Sequence, residues 1–181
     1  MTDGPDPLRV FYERHQHRVL RYLRRMLPSA EAAEDVAQEV FRVLCAKWLQ
    51  EDGEMHEPEN FLFQLAHHRM CNWLRQHSRR REQITDFLYP GKETAEALVR
   101  HSGEFADRTA SVVDLARALA ALPVRQRQVV VLRFYAGLTL EEAAAVMCMS
   151  PSGAKKATAA GIETLQKSPL LTGYPRTEVR E

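Results

Sequence analysis

Residues 122–165, LPVRQRQVVVLRFYAGLTLEEAAAVMCMSPSGAKKATAAGIETL, restrict the fold more than any other stretch of this chain. Val129, Val130, Leu132 and Phe134 give residues 126–135 the apolar side of a helix that stops at Gly137. A second helix opens at Thr139. Thr139 and Glu142 have the spacing of a capping box, in which each side chain satisfies an orphan backbone N–H of the first turn. This helix is short, residues 140–147, and has Ala143, Ala144 and Met147 to bury. After a break at Met149-Ser150-Pro151, Ser150 can cap a third helix. Pro151 suits its first position, because the N–H it lacks would find no helical acceptor there. Lys155 and Lys156 follow near the start of that helix. Two short helices at a sharp turn, the second basic at its N-terminal end, predict a helix-turn-helix whose basic end meets base edges and phosphates.

Charge distribution supports this assignment better than net charge does. The 181 residues carry a net charge of +1, which gives no global nucleic-acid signal. Residues 1–85 hold 13 basic and 13 acidic side chains, residues 86–111 hold 3 and 5, residues 112–168 hold 7 and 4, and residues 169–181 hold 2 and 2. A weakly basic module thus follows an acidic spacer. Cys45, Cys71 and Cys148 are odd in number and far apart, which argues against a disulfide framework or zinc ribbon and for a reduced, cytoplasmic setting. No apolar run approaches the roughly 20 residues of a membrane span, and the N-terminus MTDGPDPL lacks the features of a signal peptide.

The N-terminal part reads as three helices. The first, residues 8–26, has Phe11, Val19, Leu20, Tyr22 and Leu23 among its apolar positions, with Arg14, Arg18, Arg21, Arg24 and Arg25 marking the solvated side. Pro28 helps to end it and Ser29 can cap the next. The second, residues 30–49, has a core stripe of Val36, Val40, Phe41, Val43 and Leu44. An acidic loop follows. The third, residues 59–80, has Phe61, Leu62, Leu65, Ala66, Met70, Trp73 and Leu74 on its apolar side. No period-2 stretch indicates a strand. The expected fold is all-α: an N-terminal helical bundle (1–85) and a C-terminal helix-turn-helix domain (112–168), joined by a flexible linker (86–111) and followed by a disordered tail (169–181).

Three stretches carry a family resemblance. Residues 33–41, AEDVAQEVF, are similar to the A-E-D-x-x-Q-E-x-F signature of the extracytoplasmic-function (ECF) sigma factors, the small initiation factors of bacterial RNA polymerase. Residues 58–66, PENFLFQLA, continued by NWLR at 72–75, resemble the family's helix for the −10 promoter element. Residues 122–144 resemble the start of its −35-binding domain. All three stand in the family's order. The resemblance implies a non-enzymatic factor without a cofactor. Its N-terminal domain would hold core RNA polymerase at the β′ clamp helices and melt DNA, and its C-terminal domain would engage the β flap and promoter DNA. It also implies that an anti-sigma factor is a possible partner.

The resemblance maps polymerase binding onto Asp35, Gln38, Glu39 and Arg42, whose i, i+3 and i+4 spacings let several share an exposed face. An ordinary solvated face has the same pattern. It maps −10 recognition onto Phe61, His68, Arg69, Asn72, Trp73, Arg75, Arg79 and Arg80. Opening a duplex requires cations to hold displaced phosphates, and aromatic or pocket-forming groups to take up unstacked bases. The aromatics serve a core equally well. His68 stands where the family pattern has Asn, which alters how a flipped base would be read. Recognition of the −35 element maps onto Ser152, Gly153, Lys155, Lys156 and Thr158. The Arg residues usual one and two turns further on are replaced here by Ala157, Ala159, Ala160 and Ile162, which predicts modest intrinsic affinity with a shallower salt dependence.

Other chemistry has little support. His67 and Cys71, at i and i+4, could share a ligand face but lack a third partner, and His15 and His17 point to different sides of a helix. No phosphate loop, carboxylate constellation or activated nucleophile is visible. Two alternatives stay open: a helix-turn-helix regulator that works without polymerase, and a sigma-like decoy that binds proteins.

Overall fold

The computed structural model describes residues 6–51, 53–80 and 110–172, with backbone alone for residues 78–80 and 110–112. Among these residues the fold is all-α, with seven helices, a short 3-10 turn and no strand. In chain order the helices are α1 (Pro7–Met26), α2 (Ala30–Gln50), α3 (Pro58–Arg80), α4 (Ala110–Ala120), α5 (Val124–Phe134), α6 (Leu140–Val146) and α7 (Pro151–Gln166).

Local chemistry sets several of the boundaries. The Asp6 carboxylate accepts from Leu8 N at the head of α1, and the Ser29 hydroxyl accepts from Ala32 N at the head of α2. Thr139 and Glu142 form the reciprocal capping box of α6. Ser150 accepts from Gly153 N, with Pro151 opening α7. Gly137 ends the turn after α5 with φ +74°, a left-handed conformation that costs a side-chain-bearing residue and leaves glycine unpenalised. There Leu138 N reaches back to the Leu132 carbonyl, satisfying a terminal acceptor of the helix.

The first three helices pack against one another through Val19, Tyr22, Leu23, Val36, Val40, Leu44, Leu62, Phe63, Ala66 and Met70, all buried. The sequence stripe misses Phe63, which is fully buried beside Leu62. Adjacent helical positions face about 100° apart, so one stripe cannot account for both. Helix α3 packs on α1, α2 and α6, so more than one of its sides is covered. Conversely, Val43 is only partly buried.

The C-terminal helices do not stand apart from this bundle. α5 packs on α1, α6 packs on α3, and the buried apolar side chains of both halves form one continuous cluster. Residues 86–109 of the expected linker lie outside the described residues. The expected tail needs correction at its start: Pro169–Leu171 forms the 3-10 turn, packed against α4, while residues 173–181 lie outside the described residues.

A line of polar groups threads the seam between the halves. Tyr22 Oη on α1 lies 2.8 Å from His67 Nδ1 on α3. His67 Nε2 lies 3.7 Å from Cys71 Sγ, and the Gln128 side-chain amide on α5 donates to that sulfur at 4.0 Å. Burial, with a smaller contribution from His68, lowers the His67 pKa to about 4. The unfolded chain therefore takes up a proton near pH 6.5 that the folded chain refuses until about pH 4, so stability falls as pH drops through that window. The share due to His67 is about 3 kcal/mol. Urea unfolding of wild type and His67→Gln across pH 4–7 checks this: the variant loses that part of the slope.

Candidate polymerase and nucleic-acid interfaces

On α2, the turns after the Ser29 cap carry the acidic residues. Glu34 pairs with Arg24 at 2.8 Å and Glu39 with Arg69 of α3 at 2.8 Å. Asp35, Gln38 and Arg42 are exposed, and among the described residues none of the three has a side-chain partner. Their spacing of three and four aligns them along one side of the helix. The result is a free polar strip of both charge signs, beside a glutamate already committed within the molecule.

Along α3, the candidate −10 residues divide by environment. His68 is exposed, and its ring nitrogens lie 3.4 Å from Asn72 Nδ2. Asn72 Oδ1 in turn accepts from Arg75 Nη2 at 2.5 Å. These three make a linked polar row one turn apart. Arg69 is turned aside to Glu39, and its Nε is buried without a partner among the described residues. Phe61 is half-buried, with Lys47 Nζ 4.4 Å above its ring. Trp73 stacks on His77, centroids 3.7 Å apart, while His77 Nδ1–H donates to the Trp73 carbonyl at 2.8 Å. The side chains of Arg79 and Arg80 lie outside the described residues.

On α7, Ser152, Lys155 and Lys156 are exposed at the N-terminal end, and Gly153 is partly covered by Ser150 and Met149. The first-turn N–H groups of α7 are largely taken up by Ser150, which accepts from Gly153 N at its hydroxyl and from Ala154 N at its carbonyl, so the lysines of the second turn supply the positive charge of this end. Thr158 requires correction. It is 4% exposed, and its hydroxyl donates to the Ala154 carbonyl at 2.8 Å, so it faces the supporting helices and not DNA. Helix α7 lies on α5 and α6, which buries Ala154, Thr158 and Gly161, positions at helical spacing on one face. At Gly161 a Cβ would come within 2.9 Å of Val130 Cγ2, so the two helices meet through the missing side chain.

Two arginines that the sequence left unassigned lie between the halves. Arg18, expected on the solvated side of α1, reaches across to α5. Its Nε donates to the Ala136 carbonyl at 2.7 Å, and Nη1 pairs with Glu59 at 2.6 Å. Arg127 is 3% exposed near Tyr22, with Nε and Nη1 lacking partners among the described residues. Burial pushes its pKa down to about 10, opposed by Tyr22. Among the described residues no group of three metal-ligating side chains occurs, and no helix is long and apolar enough to cross a membrane.

A bundle with a free polar strip and a cationic helix, followed by a capped helix-turn-helix, defines a two-part helical DNA-binding factor. Residues 11–80 match the sigma-70 region 2 family and residues 113–165 match sigma-70 region 4. Over 162 residues, 90% of this chain and 83% of the relative, the sequence is 23% identical to the ECF RNA polymerase sigma factor SigX of Bacillus subtilis strain 168. The fold is similar to that of the sigma factor RpoE co-crystallised with the anti-sigma factor NepR from Bartonella quintana. That likeness has a TM-score of 0.68 and 19% identity, and it covers 92% of this chain and 98% of the other. The chain belongs to the sigma-70 family as an ECF sigma factor, a protein of promoter-directed transcription initiation.

Proposed function

We propose that this cytoplasmic, non-enzymatic factor docks on the clamp of core RNA polymerase through the Asp35–Gln38–Arg42 strip of α2, with Glu39 beside it. In this reading residues 1–85 form the clamp-binding and −10 domain, and residues 112–168 form the −35 domain. The row His68–Asn72–Arg75 receives the −10 element on α3, and Ser152, Gly153, Lys155 and Lys156 receive the −35 element on α7. The free strip on α2 carries the proposal. A solvated face alone would look the same, and what favours docking is that the strip lies within the stretch matching sigma-70 region 2, which a regulator acting on DNA alone does not need. An anti-sigma partner of the kind bound by the Bartonella protein fits the same reading.

Run-off transcription with purified core polymerase and genomic promoter fragments tests it: transcripts that depend on this chain are expected. Core binding without any transcript would instead favour the decoy.

The lysines of α7 give a separate expected result. They serve phosphates or base edges as point charges, and the rest of the helix offers no arginine to add to them. Lys155→Ala and Lys156→Ala are each expected to weaken promoter binding by the holoenzyme and to shallow the log K against log salt slope by about 0.9. Filter binding over a salt series reads this. An unchanged slope removes the phosphate contact.

A further inference from the structure

Helix α1 carries six arginines, and four of them are engaged within the molecule. Arg9 pairs with Glu13 at 2.9 Å, Arg18 with Glu59 at 2.6 Å and Arg24 with Glu34 at 2.8 Å, while Arg25 lies 4.8 Å from the Tyr135 ring. Arg14 and Arg21 are exposed and make no ion pair or side-chain hydrogen bond among the described residues. His17 between them is exposed too, and Val10, one turn before Arg14, is 39% exposed. At about 100° per residue these four positions fall within about 60° of one another, so they form one strip about 16 Å long.

The other sides of α1 are occupied. Tyr12 meets Phe41 and Phe11 meets Trp48, both on α2. Tyr22 meets His67 of α3, and Arg18 meets the end of α5. The strip is therefore a separate face, distinct from the polar strip on α2 and from the rows on α3 and α7. Its charge is of one sign. Glu13 is the single carboxylate within α1, and Arg9 already holds it. A helix side that serves solvation alone tends to alternate charge signs, and this one does not.

The chemistry fits an anionic helix. Spacings of four, three and four average about 3.5 residues, the repeat that keeps a second helix alongside in register. Guanidinium forks match carboxylates with two bonds, and arginine is enriched among the residues that carry interface energy. Phosphates suit the arginines equally well. Val10 decides between them: a sugar-phosphate backbone gains nothing from it, whereas the apolar side of an amphipathic helix buries it.

We propose that the outer side of α1 is a docking strip for an acidic amphipathic helix of a regulatory protein. Because α2, α3 and α7 stay uncovered, this partner binds the factor while polymerase and promoter are engaged. Simultaneous binding rests on the reading of those three helices given above, whereas the strip itself does not.

The test uses the full chain and a synthetic helical peptide with glutamates at the same four-three-four spacing and a leucine at one end of the row. A second peptide of identical composition has its glutamates scattered around the helix. In fluorescence anisotropy the ordered peptide is expected to bind wild type at least about tenfold more tightly than Arg14→Ala/Arg21→Ala, and at least about fivefold more tightly than the scattered peptide does. Alanine is the best helix former and brings no new partner, so unchanged helical circular dichroism is expected. Duplex DNA is expected to bind wild type and variant alike. Run-off transcription by the variant with purified core polymerase is expected at the wild-type level, and saturating ordered peptide is expected to leave wild-type transcription intact. Equal affinity of the two peptides, or of wild type and variant, would overturn the helix seat. Weaker DNA binding or lost transcription in the variant would assign the strip to promoter or polymerase and overturn the proposal as well. Inhibition by the peptide would overturn simultaneous binding. Absence of transcription from wild type itself would remove the reading of α2 and leave the peptide result standing.

Discussion

Replacing Asp35, Gln38 and Glu39 together by alanine is expected to reduce run-off transcription by core polymerase at least about a hundredfold, while the protein stays folded. The size follows from the kind of interface involved. Truncating one member of a buried, charge-assisted pair between two proteins typically costs about 2–5 kcal/mol, and about 1.4 kcal/mol is tenfold in affinity. If two of the three side chains make such pairs with polymerase, their combined removal exceeds about a hundredfold. Stability is expected to change little. Asp35 and Gln38 are exposed and make no side-chain hydrogen bond or ion pair among the described residues, and alanine is the better helix former. Glu39 gives up an ion pair with Arg69 whose two side chains are 39% and 33% exposed, and a pair of that exposure contributes no more than about 1 kcal/mol. Titration of core polymerase with wild type and variant, followed by transcription at saturating factor, separates docking from later steps. Full transcription by the variant would place the clamp interaction elsewhere. The single Glu39→Ala variant belongs in the same series, because it also frees Arg69 on the candidate −10 helix.

Phe63→Ala is expected to be the most damaging single truncation for stability. The ring is fully buried in the contiguous core and lies beneath the Arg18 guanidinium. Removing a buried phenylalanine costs about 3–5 kcal/mol, as lost transfer energy plus the cavity left behind. For a chain of this size that corresponds to a fall of roughly 10–15 °C in melting temperature. Thermal unfolding followed by circular dichroism checks it, and a fall of only a degree or two would mean that the site collapses around the gap. Phe61→Ala offers the contrast. That ring is half-buried under Lys47, so a much smaller thermal effect is expected there.

These residues also mark how far the sequence could be read. Caps were legible because they are local: Ser29, the Thr139–Glu142 box and Ser150–Pro151 each need only a few consecutive positions to declare a helix start. The exposure of Asp35, Gln38, Lys155 and Lys156 was legible for the same reason, since charge and helical spacing locate the wet face. Arg18 was not. It belongs to a run of arginines at helical spacing, and nothing local separates the member whose partner is a carbonyl 118 positions further on. Phe63 escaped because periodicity describes a helix with one covered side, and α3 has more than one. Thr158 was misread because the resemblance maps the −35 site onto the opening turns of α7 without separating their two faces, whereas this hydroxyl satisfies itself on the preceding turn and can be buried at little cost. Gly161 gave no signal at all, because a glycine among alanines looks like permissive filler until the opposing Val130 is known.

The seat at Gly161 bears on how such a protein can change over generations. At Gly161 the inward face of α7 leaves no room for even a methyl group, which would stand 2.9 Å from Val130 Cγ2. Its outward positions, Ser152, Lys155, Lys156 and Ala159, are exposed and contribute little to that seat. Under the proposed reading of α7, mutations at these sites explore new promoter sequences without first sacrificing stability, so that drift in promoter preference and maintenance of the fold proceed as nearly independent processes.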